Sequence, residues 1–257
     1  MSPPQRSIGN LSVSAIGLGA MPLSLRTPYD EERAVATVHA ALDAGVTLID
    51  TADVYNPDTG PFGHNEELIA RALASYGDTS HVTVATKGGM TRNGAQWGTD
   101  GTPQRFRRAA EDSARRLGVD SIALYQHHRP DPGVPYADTI GAFKDLLDDG
   151  LVQRVGVSNA HPEQIREAQR ILGDGLVSVQ NRYNPSHRDS QPELDLCDEL
   201  GLAFLPYSPL GGMSRAADLG SEHEAFGAVA RKHGVSPQQV ALAWSLGRSP
   251  AVVPIPG

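Results

Sequence analysis

Many of the short apolar runs in this 257-residue chain end on a side chain that can take part in chemistry. Six separate runs end in this way. The groups are the acid Asp50, the ammonium of Lys87, the imidazoles of His127–His128, the hydroxyl and amide of Ser158–Asn159, the amide of Gln180 and the phenol of Tyr207. A second phenol, Tyr55, lies in the loop just after Asp50. If the runs are parallel strands of a barrel, their carboxyl ends meet at one rim, and we expect these groups to share one mouth.

Four of these groups together suit the reduction of a carbonyl. An ammonium at Lys87 favours the ionised form of a neighbouring phenol and lowers its pKa from about 10. Tyr55 would then be a better proton donor to a developing alkoxide. A carboxylate at Asp50 would keep Lys87 charged, and an imidazole would orient the carbonyl. The protein would supply the proton, and a cofactor would supply the hydride.

The neutral polar groups indicate the kind of cofactor. Hydroxyl and amide groups at Ser158, Asn159 and Gln180 suit a nicotinamide carboxamide, and the ring of Tyr207 suits stacking on the nicotinamide face. Each residue also has a structural interpretation, since an Asp after a strand often caps a helix and a Tyr often only packs. The combination of residues, more than any single one, favours a functional site.

The adjacent histidines are interpreted separately. Strand side chains alternate between faces, so only one of His127 and His128 can face the mouth, and we interpret the other as structural. Neighbouring histidines do not easily bind one metal ion together, and the chain has no H-x-H or H-E-x-x-H pattern. The sequence therefore predicts no metal site.

Eight apolar runs alternate with segments of helical periodicity. The runs predicted as strands are Val13–Met21, Thr47–Asp50, His81–Lys87, Ile122–His128, Gln153–Asn159, Leu176–Asn181, Ala203–Ser208 and Ala251–Ile255. The segments predicted as helices are Glu31–Ala44, Glu66–Ser75, Thr102–Leu117, Tyr136–Asp149, His161–Leu172, Glu193–Leu200, Glu222–His233 and Pro237–Leu246. Near-continuous apolar strands joined by helices indicate a parallel sheet covered on both faces.

Eight such units close into a barrel, so we predict an α/β fold in which residues 1–257 form a single (β/α)8 TIM barrel. An open doubly wound sheet is the alternative, but Gly17–Pro22 reads GLGAMP and lacks the third glycine of the G-x-G-x-x-G fingerprint. Ser7–Val13 is predicted to form a hairpin around Gly9-Asn10 that closes the bottom of the barrel. The polar, Gly-rich segment Thr91–Gly101 is predicted to be an active-site loop.

Composition and charge limit the kinds of molecule that the protein is expected to bind. The chain has 30 Asp and Glu against 22 Lys and Arg, a formal charge of −8, and an acidic surface repels nucleic-acid phosphates. The single cysteine, Cys197, cannot form an intrachain disulfide and suits a reducing compartment. No apolar run approaches the ~20 residues of a membrane span, and the polar first residues lack a signal-peptide core. We predict a cytoplasmic protein that acts on a small molecule and has no obligate protein partner.

Five segments of the chain resemble motifs of the aldo-keto reductase superfamily, in particular its bacterial NADPH-dependent enzymes. They are DTADVY at Asp50–Tyr55, ATK at Ala85–Lys87, LYQHH at Leu124–His128, GVSN at Gly156–Asn159 and YSPLG at Tyr207–Gly211. The match follows the family order over nearly the whole chain and assigns the family histidine to His128. The resemblance implies a barrel enzyme that reduces an aldehyde or ketone to an alcohol.

The resemblance also implies roles for individual residues. Asp50, Tyr55, Lys87 and His128 would form a catalytic tetrad with Tyr55 as the general acid. The residues implied to bind the cofactor are Gly19, Ala20, Met21, Asp50, Ser158, Asn159, Gln180, Tyr207, Ser208, Pro209, Leu210, Gly211, Ile255, Pro256 and Gly257. The residues predicted to line the substrate site are Val54, Trp97, Arg129 and Met213.

The resemblance favours NADPH as the cofactor, with NADH as the alternative. Family chains continue past their I-P-G motif into a last outer helix that brings contacts to the adenosine 2′-phosphate, whereas this sequence stops at Gly257. We therefore expect a barrel without that helix, and the choice between the two cofactors stays open. The segment Asn56–Gly63 is longer than the usual family loop, so we expect a different rim there.

Two other functions stay open from the sequence alone. One is a nucleotide-binding barrel that senses redox state without substantial turnover. The other is a lyase in which Lys87 forms a Schiff base with a carbonyl while Asp50 or Tyr55 moves protons. The lyase leaves Asn159 and Gln180 without a task.

Overall fold

A computed structural model describes residues 4–25, 28–57, 60–94, 96–213 and 215–257. The described strands are β1 (Gln5–Ile8), β2 (Leu11–Ser14), β3 (Leu18–Gly19), β4 (Leu48–Asp50), β5 (Thr83–Gly88), β6 (Met90–Asn93), β7 (Gln96–Thr99), β8 (Leu124–His127), β9 (Val155–Ser158), β10 (Leu176–Gln180) and β11 (Ala203–Phe204). The described α-helices are α1 (Met21–Leu25), α2 (Glu31–Asp43), α3 (His64–Tyr76), α4 (Pro103–Leu117), α5 (Tyr136–Asp148), α6 (Pro162–Leu172), α7 (Gln191–Leu200), α8 (Leu219–Glu222), α9 (Glu224–His233) and α10 (Pro237–Leu246).

Seven strands form one parallel sheet in the order β11-β10-β9-β8-β5-β4-β3. The segment after α10 closes the gap between the two ends of this sheet. Val252 and Ile255 form parallel bridges to the β11 side, and the carbonyls of Pro254 and Pro256 accept hydrogen bonds from backbone amides on the β3 side. The strands therefore close into the (β/α)8 barrel predicted from the sequence, and the segment Ala251–Ile255 takes the place of its eighth strand.

The strand register places the polar residues at the strand ends at the same height along the barrel axis. Lys87 lies opposite Gln126 on the neighbouring strands β5 and β8, and Ser158 lies opposite Gln180 on β9 and β10. Asp50 ends β4, which pairs with β5. Neighbouring strands are about 4.8 Å apart, so these side chains meet at the carboxyl end of the barrel.

The predicted hairpin is present as β1 and β2, with Gly9 and Asn10 between them. Ile8 and Val13 are fully buried and pack against the residues that fill the barrel interior. Gly9 has a φ of 57°, and a Cβ at this position would lie 2.6 Å from Cγ1 of Val177. Glycine is therefore required in this turn, and the hairpin covers the amino end of the barrel.

The segment 13–21 was predicted as one strand, and the structure divides it into three parts. β2 ends at Ser14, β3 contains only two residues, and α1 begins at Met21. A Cβ on Gly19 would lie 2.6 Å from the carbonyl oxygen of Ile255, so β3 runs in close contact with the closing segment. Pro22 follows in the first turn of α1, where a proline fits a helix but not a continuing strand.

The segment Thr91–Gly101, predicted to be an active-site loop, contains most of an antiparallel hairpin. β6 and β7 pair with Arg92 opposite Trp97, and the Arg92 guanidinium lies 4.8 Å from the centroid of the Trp97 ring. Each of these strands has four residues, so the alternation of side chains that would indicate a strand is too short to recognise in a Gly-rich sequence. Within the longer loop Asn56–Gly63, residues 58 and 59 lie outside the described residues.

Helices cover the outside of the barrel, and the ends of the longer ones lie close to those predicted. The short helices α1 and α8 were not predicted, since one turn of helix leaves little periodicity. Among the described residues, no helix combines the length and the apolar character needed to cross a bilayer.

Candidate active site

A buried ion pair lies at the carboxyl end of the barrel. Lys87 is fully buried, and its Nζ donates to Oδ2 of Asp50 at 2.5 Å and to the carbonyl of Thr51 at 2.7 Å. Its third acceptor is the hydroxyl oxygen of Tyr55 at 3.4 Å, so all three N–H donors are used. Burial alone would lower the pKa of Lys87, but Asp50 and Tyr55 outweigh it and raise the pKa above its ordinary value. Lys87 is therefore an ammonium at neutral pH.

Tyr55 lies above this ion pair with 7% of its surface exposed. Its ring centroid is 5.1 Å from Nζ of Lys87 and 5.6 Å from the ring of His128, which it meets edge-on. Burial raises the pKa of the Tyr55 hydroxyl, and Lys87 lowers it by less, so the pKa lies above its ordinary value. The net lowering predicted from the sequence is wrong, because burial outweighs the ammonium. Tyr55 is thus protonated at neutral pH and has a proton to donate.

The Tyr55 turn is held by Asn65, a residue of α3 that no sequence motif indicated. The Asn65 backbone amide donates to the carbonyl of Tyr55 at 3.1 Å. Its buried side chain accepts from the Thr51 hydroxyl at 2.5 Å and donates to the carbonyl of Ala20 at 2.9 Å. Asn65 therefore ties the segment between Asp50 and Tyr55 to the residue that follows β3.

Two buried amides hold the other oxygen of Asp50. Gln126 and Gln180 both donate from Nε2 to Oδ1 of Asp50, at 3.0 and 2.8 Å. The Gln180 amide nitrogen also lies 3.2 Å from Oε1 of Gln126. Gln126 was not identified from the sequence, although it alternates with His128 along β8 and so shares its face. The amide oxygen of Gln180 accepts no hydrogen bond from the described residues and is left for a ligand.

The two histidines have different surroundings. His127 is fully buried on the outer face of β8, within 5.8 Å of the rings of Phe106, Tyr136 and Phe143. His128 lies beside Tyr55 at the barrel mouth. Burial lowers the pKa of His128 well below its ordinary value, and nearby positive charge lowers it further, so the imidazole is neutral at pH 7. Only one histidine faces the mouth, as the alternation of strand side chains predicts.

The barrel mouth contains a cleft with a volume of about 240 Å³. The sequence-predicted residues that line it are Gly19, Met21, Asp50, Tyr55, Trp97, His128, Arg129, Ser158, Asn159, Gln180, Tyr207, Ser208, Pro209, Leu210, Met213, Ile255, Pro256 and Gly257. The lining residues not predicted are Pro22, Met90, Gly212 and Ala216. Lys87 lies behind the wall that Asp50 and Tyr55 form.

Besides Lys87, three of the predicted residues are not among those that line the cleft. Ala20 is fully buried and packs with Val38 and Ile49 between the barrel and α2, because its side chain points away from the mouth. Val54 is also fully buried, in the small apolar cluster under the Tyr55 loop. Gly211 lies in the turn after Tyr207 but does not reach the cleft surface.

Asn159 joins the strand ends around the cleft. Its Nδ2 donates to the carbonyl of His128 and to the hydroxyl oxygen of Ser158, both at 3.0 Å. Its Oδ1 accepts from the hydroxyl of Tyr207 at 2.8 Å and from Nη2 of Arg129 at 3.1 Å. A carboxamide that binds beside Asn159 would have to share or replace one of the last two bonds, while the free amide oxygen of Gln180 offers it an acceptor directly.

The turn after Tyr207 has a backbone suited to an anion. Ser208, Gly211 and Gly212 have positive φ angles of 50°, 93° and 99°. The N–H of Gly211 donates to the carbonyl of Ser208 at 3.0 Å and closes the turn, and turns of this kind can form the concave nests that bind phosphate groups. The polar groups at Asn159 and Gln180, the ring of Tyr207 and this turn therefore fit a nicotinamide dinucleotide.

A second charged cluster lies beneath the Tyr55 loop, and no motif pointed to it. Asp53 is buried, its Oδ2 lies 3.4 Å from Nη2 of Arg105, and Glu66 accepts from Arg116 at 2.9 Å. Glu66 also accepts from the hydroxyl of Thr86, the residue before Lys87, at 2.6 Å. Burial and the nearby Glu66 raise the pKa of Asp53 to about 8, against the smaller opposing effect of Arg105. Two arginines of α4 thus fix the segments that carry Tyr55 and Lys87.

Comparison with known proteins agrees with this geometry. The family model described as "Aldo/keto reductase family" matches residues 15–257. An uncharacterized oxidoreductase of Schizosaccharomyces pombe is 35% identical over 97% of this chain and 79% of its own length. The structure of a glycerol dehydrogenase from Gluconobacter oxydans superposes with a TM-score of 0.84 at 30% identity, over 100% of this chain and 87% of that one. An aldo/keto reductase from Klebsiella pneumoniae, solved with NADP and acetate, gives a TM-score of 0.81 at 27% identity, covering 99% and 84% of the two chains.

Proposed function

This chain belongs to the aldo/keto reductase family and is an oxidoreductase, and we propose that it reduces an aldehyde or ketone to an alcohol with NADPH as the hydride donor. The observation that carries the proposal is the contact at 3.4 Å between the Tyr55 hydroxyl and Nζ of Lys87 at the wall of the cleft. A protonated phenol beside a buried ammonium is suited to give its proton to an oxygen that gains negative charge. The same residues that the sequence predicted as a tetrad, Asp50, Tyr55, Lys87 and His128, carry this proposal.

Each residue has a distinct part in the proposed reaction. The neutral imidazole of His128 donates a hydrogen bond to the substrate carbonyl and fixes its direction. As the carbonyl becomes an alkoxide, the proton on the Tyr55 hydroxyl passes to its oxygen. The phenolate that remains is stabilised by Lys87, which Asp50 keeps charged. Gln126 and Gln180 keep Asp50 in place through its second oxygen.

The cofactor proposal rests on the polar groups of the cleft and on the relative solved with NADP. When bound, NADPH would supply the hydride. Gln180, Ser158 and Asn159 would hold the carboxamide, Tyr207 would contact the nicotinamide ring, and the turn at 208–212 would face the pyrophosphate. NADH is the alternative cofactor, and a titration must compare the affinities of the protein for NADPH and NADH.

The Schiff-base alternative lacks support from the geometry. A lysine that attacks a carbonyl has to be uncharged and within reach of the substrate. Lys87 is fully buried, is bound to three acceptors and has a raised pKa. No feature of the described residues favours a lyase over a reductase.

Titration with NADPH and NADH, followed by a panel of aldehydes and ketones, tests the proposed function. We expect NADPH to bind more tightly than NADH and to be oxidised when a carbonyl compound is added, with the alcohol recovered as product. Tight NADPH binding without turnover over a broad panel would contradict the proposal and favour the redox-sensing barrel.

A further prediction separates the two histidines. We expect His128→Ala to lower kcat by about 10²-fold or more, because it removes the group that orients the carbonyl. His127→Ala should retain most of the turnover per folded molecule and instead lower thermal stability, because it leaves a cavity among three aromatic rings. Steady-state kinetics and thermal melts of both variants check this, and the reverse order of kcat would contradict the assignment.

A further inference from the structure

The outer part of the cleft is apolar. Met21, Met90 and Met213 line it together with Trp97 and Leu210. Met213 and Trp97 are 48% and 44% exposed, so a large part of each side chain remains available for contact. Methionine side chains are flexible and polarizable and adapt to ligands of different shape. This rim suits the hydrocarbon body of a substrate.

One cation interrupts the apolar rim. Arg129 follows His128 directly and lines the same cleft. It has no ion pair with a carboxylate of the described residues, and its hydrogen bond goes to the neutral amide oxygen of Asn159 at 3.1 Å. Some other arginines of the chain are paired with carboxylates, such as Arg116 with Glu66 and Arg166 with Glu199.

The cleft therefore carries a positive charge that nothing in its described wall neutralises. The carboxylate that lines it, Asp50, is already paired with Lys87 behind the wall. The positive charge of Arg129 reaches the reaction centre, since it contributes to the lowered pKa of His128. A surface of formal charge −8 would otherwise repel anions, so this local charge is a specific feature of the cleft.

Arg129 also has unused donors. A guanidinium has five N–H donors in a fixed plane, and the described residues take one of them, through Asn159. The remaining donors match the two oxygens of a carboxylate, which arginine binds in a bidentate manner. A carboxylate fits this site better than a neutral hydroxyl or amide would.

We propose that Arg129 binds a carboxylate on the substrate, and that the enzyme prefers aldehydes or ketones that combine an apolar body with a carboxylate. This inference rests on the proposed carbonyl reduction and names its substrate class. The substrate carbonyl lies between Tyr55 and His128, its hydrocarbon part contacts the methionines and Trp97, and its anionic group pairs with Arg129.

A matched pair of substrates tests the inference. 3- and 4-carboxybenzaldehyde carry the anion, and their methyl esters have the same aromatic body without it. We expect kcat/KM for the better acid to exceed that of its ester by about 10- to 100-fold, as for a hydrogen-bonded charge pair. Arg129→Gln keeps a donor for Asn159 and should remove this preference, mainly through KM, so that the acid and its ester are reduced with similar kcat/KM.

Two variants serve as controls. Arg129→Lys keeps the charge without the planar fork and should retain part of the preference. Arg166→Gln removes an exposed charge on α6, outside the cleft, and should leave the acid-to-ester ratio unchanged. An equal loss of the ratio in Arg166→Gln would overturn the inference, because the effect would then be one of overall charge.

A binding measurement removes the dependence on turnover. Benzoate should quench the intrinsic tryptophan fluorescence, to which Trp97 in the cleft contributes, with a dissociation constant about tenfold or more higher in Arg129→Gln than in the native protein. Equal benzoate affinities, or esters reduced as well as acids, would overturn the role of Arg129 and leave carbonyl reduction intact. A weaker NADPH affinity in Arg129→Gln with an unchanged acid-to-ester ratio would also overturn it. Reduction of neither acid nor ester would instead contradict the proposed function.

Discussion

Replacing Tyr55 with phenylalanine should lower kcat for carbonyl reduction by about 10²- to 10⁴-fold, the contribution of a positioned general acid. The Tyr55 hydroxyl is the proton donor in the proposed mechanism, and its pKa is raised by burial, so it is protonated over the whole neutral range. The phenyl ring keeps its edge-on contact with His128, and the cleft keeps its shape. NADPH affinity, measured by fluorescence titration, should therefore change by less than about threefold.

Tyr125→Phe is the matched control for this change. It deletes the same hydroxyl from a buried tyrosine on the outer face of β8, where the hydroxyl has no hydrogen-bond partner among the described residues. We expect kcat close to that of the native protein. If Tyr55→Phe retains native turnover, or if Tyr125→Phe loses as much, Tyr55 is not the proton donor.

The buried ion pair gives the second large effect, this time on stability. Lys87→Met leaves the carboxylate of Asp50 buried with only two amides as partners, and Asp50→Asn leaves a buried ammonium without its counterion. Removal of one partner of a buried pair costs about 3–5 kcal/mol. Each single variant should therefore unfold at a markedly lower urea concentration, and each should lose carbonyl reduction.

The double variant distinguishes a coupled pair from two independent residues. With both charges removed, no uncompensated charge remains, so the free energy of unfolding should fall by clearly less than the sum of the two single losses. Turnover should stay as low as in the single variants. Additive losses in urea unfolding would show that Asp50 and Lys87 do not depend on each other.

The strand-end residues could be predicted because of a simple topological fact. Parallel strands of a barrel end at one rim, so a polar residue at the end of each apolar run marks the site before any distance is known. The alternation of side chains along β8 predicted that only one of the two histidines faces the mouth, and the family resemblance assigned that place to His128. The hairpin around Gly9-Asn10 could be predicted from its turn residues.

The remaining features depend on contacts between distant parts of the chain. Asp53 and Glu66 are held by arginines of α4, about fifty residues away, and nothing in the local pattern indicates those pairs. The pKa of Tyr55 depends on how deeply its loop is buried, and the identity of its charged neighbours does not reveal that burial. Asn65 directly precedes the predicted helix Glu66–Ser75 and belongs to no motif, whereas in the fold it spans the gap between the Tyr55 turn and the residue after β3.

The closed amino end of the barrel has a kinetic consequence. Because Ile8 and Val13 fill that end, a molecule bound at the bottom of the cleft leaves through the carboxyl end of the barrel, past the rim that Met90 and Met213 help to form. A dinucleotide whose nicotinamide lies against Gln180 would be trapped for as long as a second compound occupies this rim. Exchange of the oxidised and reduced dinucleotide would then be slowed by any compound that binds tightly near the surface, including the alcohol that the enzyme has just made.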